Sequence, residues 1–134
     1  MAGYLTEHQV IEAYITANWT TTNVFYENTV NRNKGDAWVR VTILNAKSRA
    51  MHIGDSTPLN EYPGIIDIAI FVKGTSGKET ALGYADTFVE LFKYKSLGTN
   101  IITRDAYIDN TPSDNNTSGW YQVNVSSEFS RREV

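Results

Sequence analysis

At 134 residues the chain has the length of one ordinary domain, enough to bury a core without metal or disulfide staples. Its 41% hydrophobic and 20% charged residues are globular proportions, and the lack of cysteine excludes disulfides, thiolate metal sites and cysteine nucleophiles. A net charge of −3 argues against nucleic-acid affinity driven by bulk charge.

The first predicted element is a helix capped at Thr6, with Gln9 completing a capping box and Leu5 stapled onto Val10. Val10, Ile11, Tyr14 and Ile15 repeat at helical spacing, and Trp19 with Thr20 to Thr22 ends the run. Residues 23–28 form a short aromatic strand, and 31–36 a polar loop. Residues 37–44 alternate, with Val39, Val41 and Ile43 on one face and Trp38, Arg40 and Thr42 on the other. Residues 47–53 continue as a second strand before a turn over 54–58. Residues 65–73 are the most apolar strand and are expected at the sheet centre; the run is far too short to span a bilayer.

A second helix follows, capped by Ser76 with Glu79, burying Ala81, Leu82, Ala85, Phe88, Val89 and Phe92, with Gly98 beyond its end. Strands over 100–109 and 120–129 flank a turn-prone loop, 110–119, expected to be flexible, and 130–134 reads as a flexible tail. The expected fold is one α/β (α+β) domain over residues 1–134, in the order α-β-β-β-β-α-β-β. Its mixed, mostly antiparallel sheet carries both helices on one face. The first residues lack a basic segment followed by an apolar run, so no signal peptide is expected.

Catalytic patterns are weak. A phosphate-binding loop ending in Gly77-Lys78 needs glycine where Val72 stands and a hydroxyl where Glu79 stands. His8 and His52 fall on different elements, whereas a catalytic zinc takes three protein ligands. Glu61, Asp67 and Asp86 show no paired spacing, and no serine sits in a Gly-x-Ser-x-Gly elbow. Trp38, Tyr62, Tyr107, Trp120 and Tyr121 fall on or beside strands, where they serve a core or an interface.

An ordered set of segments carries a family resemblance: Phe25-Tyr26-Glu27-Asn28, residues 37–43, Tyr62-Pro63-Gly64-Ile65, residues 72–77 leading into 82–92, and residues 119–125. Together they resemble the siphophage tail terminators of the lambda-like small-protein type, over nearly the whole chain. Two segments depart from the family's pattern: 31–36 has no proline and 110–119 is rich in asparagine. The resemblance implies a structural virion protein, assembled in the host cytoplasm and placed at the head-proximal end of the tail. It implies a homohexameric ring that caps the tail tube, stops its polymerisation and offers a joining surface to the head. The implied partners are further copies of the chain, the major tail tube protein and a head–tail connector or head-completion protein. Genomic DNA passes without tight binding; no membrane, cofactor, metal or enzymatic activity is implied.

A closed ring needs two different patches per subunit. Trp38 and Arg40 are candidates for one; Lys47, Arg49, Met51, His52 and Ile53, on an extended arm, for the other. Arg131 and Arg132 form a small basic cluster suited to an acidic rim of tube or connector. The competing readings are another head-completion or tail-tube-like morphogenesis protein and, from a different class, a small-molecule-binding domain or enzyme.

Overall fold

Two alternating apolar runs, Val39-Val41-Ile43 and Ile66-Ile68-Ile70, meet side by side in antiparallel register and found the sheet. The computed structural model describes residues 3–26, 37–50, 59–73, 77–98, 100–109 and 120–133. In chain order the elements are α1 (Tyr4–Asn18), β1 (Asn23–Phe25), β2 (Ala37–Asn45), β3 (Arg49–Ala50), β4 (Asn60–Lys73) and α2 (Gly77–Phe92). They continue with β5 (Ser96–Leu97), β6 (Ile101–Asp109) and β7 (Trp120–Glu133). Among the described residues the strands form one seven-stranded sheet in the order β1-β2-β4-β7-β6-β5, with β3 also paired to β4. The β1–β2 pair is parallel and the other pairs are antiparallel, so the fold is the expected mixed α+β domain with a short β5 added to the order.

β4 is the central strand. Ile66, Ile68 and Ile70 lie between Ile43, Val41 and Val39 of β2 on one side and Ser127, Val125 and Val123 of β7 on the other. Both helices cover this inward face. α1 contributes Ile11 and Ile15, and α2 contributes Ala81, Ala85, Phe88 and Phe92, all fully buried. Each large apolar side chain buried this way contributes roughly 1.5–3 kcal/mol. Aromatic contacts tie the helices together: Tyr14 meets Phe92 edge-on at 5.4 Å, and Trp19 packs on Phe88 at 4.4 Å.

Tertiary contacts move several boundaries. α1 starts at Tyr4, after Gly3, so Thr6 lies inside the first turn and not at the cap; Leu5 is 73% exposed and staples nothing. The extra turn is held from below: the Tyr4 ring meets Tyr62 edge-on at 5.8 Å, and Glu7 is bonded to Arg131. The left-handed residue after α2 is Tyr94 (φ 52°), whose N–H donates to the Arg104 carbonyl at 2.8 Å. Gly98 (φ 67°) instead turns the chain between β5 and β6.

β4 begins at Asn60, five residues before its predicted start, and runs through Pro63. The Pro63 carbonyl accepts from the Ala46 N–H at 3.0 Å, at the step where pairing passes from β2 to β3. A proline in a central strand is tolerated there because the missing donor falls on an interruption of the ladder. β7 likewise runs on to Glu133, so residues 130–133 are strand and not the expected flexible tail. The Ser76 half of the predicted capping box, the polar segment 31–36, the turn 54–58 and the loop 110–119 lie outside the described residues.

Candidate functional site

The sheet face turned away from the helices is assembled from the alternate residues of each strand. Leu44 and Ile65 stand opposite each other on β2 and β4, while Ile102 and Tyr107 of β6 pair with the small Ser130 and Ser126 of β7. These four large side chains are 38% to 54% exposed. Near the β1 end of the same face, Trp38 stacks on Phe71 at 4.2 Å and meets Phe25 edge-on at 5.6 Å. That packing withdraws Trp38 from the surface, leaving it 5% exposed. The expected Trp38–Arg40 patch is therefore corrected: Arg40 alone is exposed, its guanidinium 5.6 Å from the Phe71 ring centre.

Asp67 lies further along β4 on this face. Burial, with the neighbouring Asp109 charge, pushes its carboxyl above the ordinary 3.8, against opposing pulls from Arg40 and a Ser126 hydrogen bond.

The far end of the face is strongly charged. Glu61 is only 1% exposed because guanidinium groups lie over it. Arg49 donates from Nε to Oε1 at 2.8 Å, and its Nη2 stands 2.6 Å from the same oxygen as an ion pair. Arg104 Nη2 donates to Oε2 at 3.3 Å, and Arg132 Nη2 stands 3.7 Å from the same oxygen. The Arg49 hydrogen bond, aided by the charges of all three arginines, outweighs desolvation and holds the Glu61 carboxyl below its ordinary 4.5. Register explains the convergence. Arg49 and Arg132 are both direct cross-strand neighbours of Glu61, and Arg104 sits in the β6 irregularity between Thr103 and Ala106. The three arginine side chains remain 72%, 51% and 42% exposed in the order Arg49, Arg104, Arg132. Beside them is a groove of about 360 Å³, in which Lys47 and Glu128 extend the charged walls and Pro63, Gly64 and Phe129 form an apolar floor.

Of the residues singled out from sequence, Lys47, Arg49 and Arg132 come together here; Met51, His52 and Ile53 lie outside the described residues. Arg131 is on the opposite, helix-covered face. It is 1% exposed, donates from Nε to Glu7 Oε1 at 3.0 Å and from Nη1 to Glu133 Oε1, and its guanidinium lies 4.2 Å from the Tyr62 ring centre. The expectation that Arg131 docks onto a partner is corrected: its charge is spent inside the fold. The network runs on from Glu7 Oε2, which accepts from Asn45 Nδ2 at 2.7 Å, to His8 Nε2, 2.9 Å from Asn45 Oδ1. His8 is thus an internal hydrogen-bonding partner.

Among the described residues no group of three or more His, Asp or Glu side chains is placed to hold a metal ion. Glu61 and Asp67, six positions apart on one face of β4, are separated by about 20 Å at strand rise, and Asp86 lies on the exposed side of α2. Arg104 carries no sequence signal of its role, because the β6 irregularity that aims it is a tertiary feature. Glu61 was legible only as an isolated acid.

No family model and no curated protein matches the chain. Twelve solved chains match in three dimensions. One of them, which bears a serial designation in place of a descriptive name, superposes with a TM-score of 0.64 over 95% of this chain and 96% of its own, at 15% identity. At that identity the likeness speaks to the fold alone: this chain adopts an α+β architecture that another polypeptide shares along its full length.

Proposed function

We propose that this chain is a structural ring subunit of the tail-terminator type. Six copies close on the end of a tail tube, stop its polymerisation and offer a joining surface to the head connector. The observation that carries the reading is the sheet face that no described helix covers, where Leu44, Ile65, Ile102 and Tyr107 are exposed beside an arginine-rich groove. Large apolar side chains grouped on the solvent side of a sheet fit a protein–protein contact. A cyclic assembly requires two different surfaces on each subunit, and a helix layer backed by a sheet whose other face carries no described helix supplies two. The groove walls are mainly charged side chains, which suits docking of another polypeptide's polar groups better than enclosing an apolar metabolite.

The test is electron microscopy of the concentrated protein, alone and with tail tubes added. Closed six-membered rings, free or seated on tube ends, are expected. Open-ended tubes built from this chain alone contradict the reading in favour of a tube protein, and turnover of a metabolite contradicts it in favour of an enzyme.

A further inference from the structure

The arginine-rich end of the bare sheet face and the exposed side of α2 lie on opposite layers of the molecule and have opposite charge. Around the groove, the cationic Lys47, Arg49, Arg104 and Arg132 face two carboxylates, Glu61 and Glu128, leaving a cationic excess. On α2, Glu79, Asp86 and Glu90 fall at i, i+7 and i+11, within one stripe of the helix, and all three are exposed. None of them has an ion-pair partner among the described residues.

Gly83 lies in the middle of that stripe. A glycine in a helix interior destabilises the helix relative to alanine. Nothing inside the fold accounts for it: a Cβ at Gly83 would meet no atom within 4 Å. A bare backbone at the centre of an exposed helical stripe is what a closely approaching neighbour requires.

The dimensions agree. The stripe from Glu79 to Glu90 spans roughly 16 Å at helical rise. The groove runs across β3, β4, β7 and β6, three strand spacings or roughly 14 Å.

We infer that the acidic, glycine-centred stripe of α2 docks onto the arginine-rich groove of a second copy of this chain, head to tail. The contact deepens the ring reading by naming the subunit interface on which it rests. Each copy presents the stripe on its helix layer and the groove on its sheet face, so the contact is heterologous and propagates until rotation closes it. Guanidinium groups suit the occupant because each keeps N–H donors beyond those spent on Glu61 and can grip a carboxylate in bidentate fashion.

The test uses the full-length chain and two charge-reversed variants, each judged folded by its circular dichroism. One carries Asp86→Lys and Glu90→Lys. The other carries Lys47→Glu and Arg132→Glu, leaving Arg49 and Arg104 on Glu61. Sedimentation should show wild-type association that weakens about tenfold or more with added salt. Each variant alone should fail to associate, and an equimolar mixture should recover assembly, because opposite charges again face each other at every contact. Gly83→Leu should abolish association while leaving the monomer at least as stable as wild type. Variants that assemble as wild type does, or a mixture that stays dissociated, overturn the contact. So does a wild type that remains monomeric throughout, or a groove that binds duplex oligonucleotide while the charge reversals leave self-association untouched. Wild-type rings indifferent to the reversals sink this interface and leave the ring reading standing. Open filaments that respond to the reversals uphold the interface and sink the ring.

Discussion

Arg131 illustrates how a residue's chemistry is decided by neighbours remote in sequence. Its partner Glu7 is 124 positions away, and the pair is buried with the Tyr4 and Tyr62 rings against the guanidinium. Removing one member of such a pair leaves an uncompensated buried charge, whereas removing both can be nearly neutral. Arg131→Met is therefore expected to lower unfolding stability by about 3–5 kcal/mol, and adding Glu7→Gln should recover much of the loss; urea denaturation of the single and double variants checks it. Neither charge carries a local signal of this role. A terminal Arg-Arg-Glu reads as a solvated end, and Glu7 as an ordinary first-turn acid.

Glu61 makes a different prediction at the same scale. Its native carboxyl titrates below the ordinary 4.5, so the stability it contributes is fully present above about pH 4.5 and is lost as pH falls through the lower native value. Asp67 acts with the opposite sign. Its native carboxyl titrates above the ordinary 3.8, so the ionised form penalises the fold and the penalty lifts as pH falls. Glu61→Gln should lower stability at neutral pH and flatten its acid decline, while Asp67→Asn should raise stability at neutral pH. Denaturation midpoints from about pH 3 to about pH 7 separate the two.

At the scale of the element, alternation made the interiors of the strands legible and left their ends obscure. The inward set Val39, Val41, Ile43 and the isoleucines of β4 were readable because period-two patterning and burial coincide there. The first five residues of β4 were not, since Pro63-Gly64 is ordinarily a strand breaker. Here the proline coincides with the change of partner from β2 to β3, and the glycine makes room for an aromatic ring. A Cβ at Gly64 would lie 2.6 Å from Phe129 Cζ and 2.7 Å from the Leu44 carbonyl oxygen, one flexible obstacle and one rigid one. Gly64→Ala should accordingly cost about 1–3 kcal/mol through displaced backbone. Thermal unfolding checks the direction, and a truncation of Phe129 combined with it should not restore stability, because the Leu44 carbonyl stays in place. The start of α1 was misplaced for a related reason: Thr6 is the better local cap, but packing of Tyr4 and the anchoring of Glu7 win an extra turn.

At the scale of the molecule, the α+β class, the central strand and the side on which both helices pack were all legible, because they follow from apolar periodicity and the need to cover one sheet face. The candidate site was legible in pieces. Lys47, Arg49 and Arg132 could be picked out as exposed basic residues, but their meeting at Glu61 depends on cross-strand register and on the irregularity that aims Arg104. The sheet has one buried face and, on the other, exposed apolar side chains beside a charged groove, and that second face is where the proposed ring places its contact with the acidic stripe of α2. The most direct test is the copy number of the assembled species, read from native mass and from the rotational symmetry of imaged particles. The account predicts six identical chains in a closed annulus. A chain that remains single at every concentration, even against the tube it should cap, contradicts it.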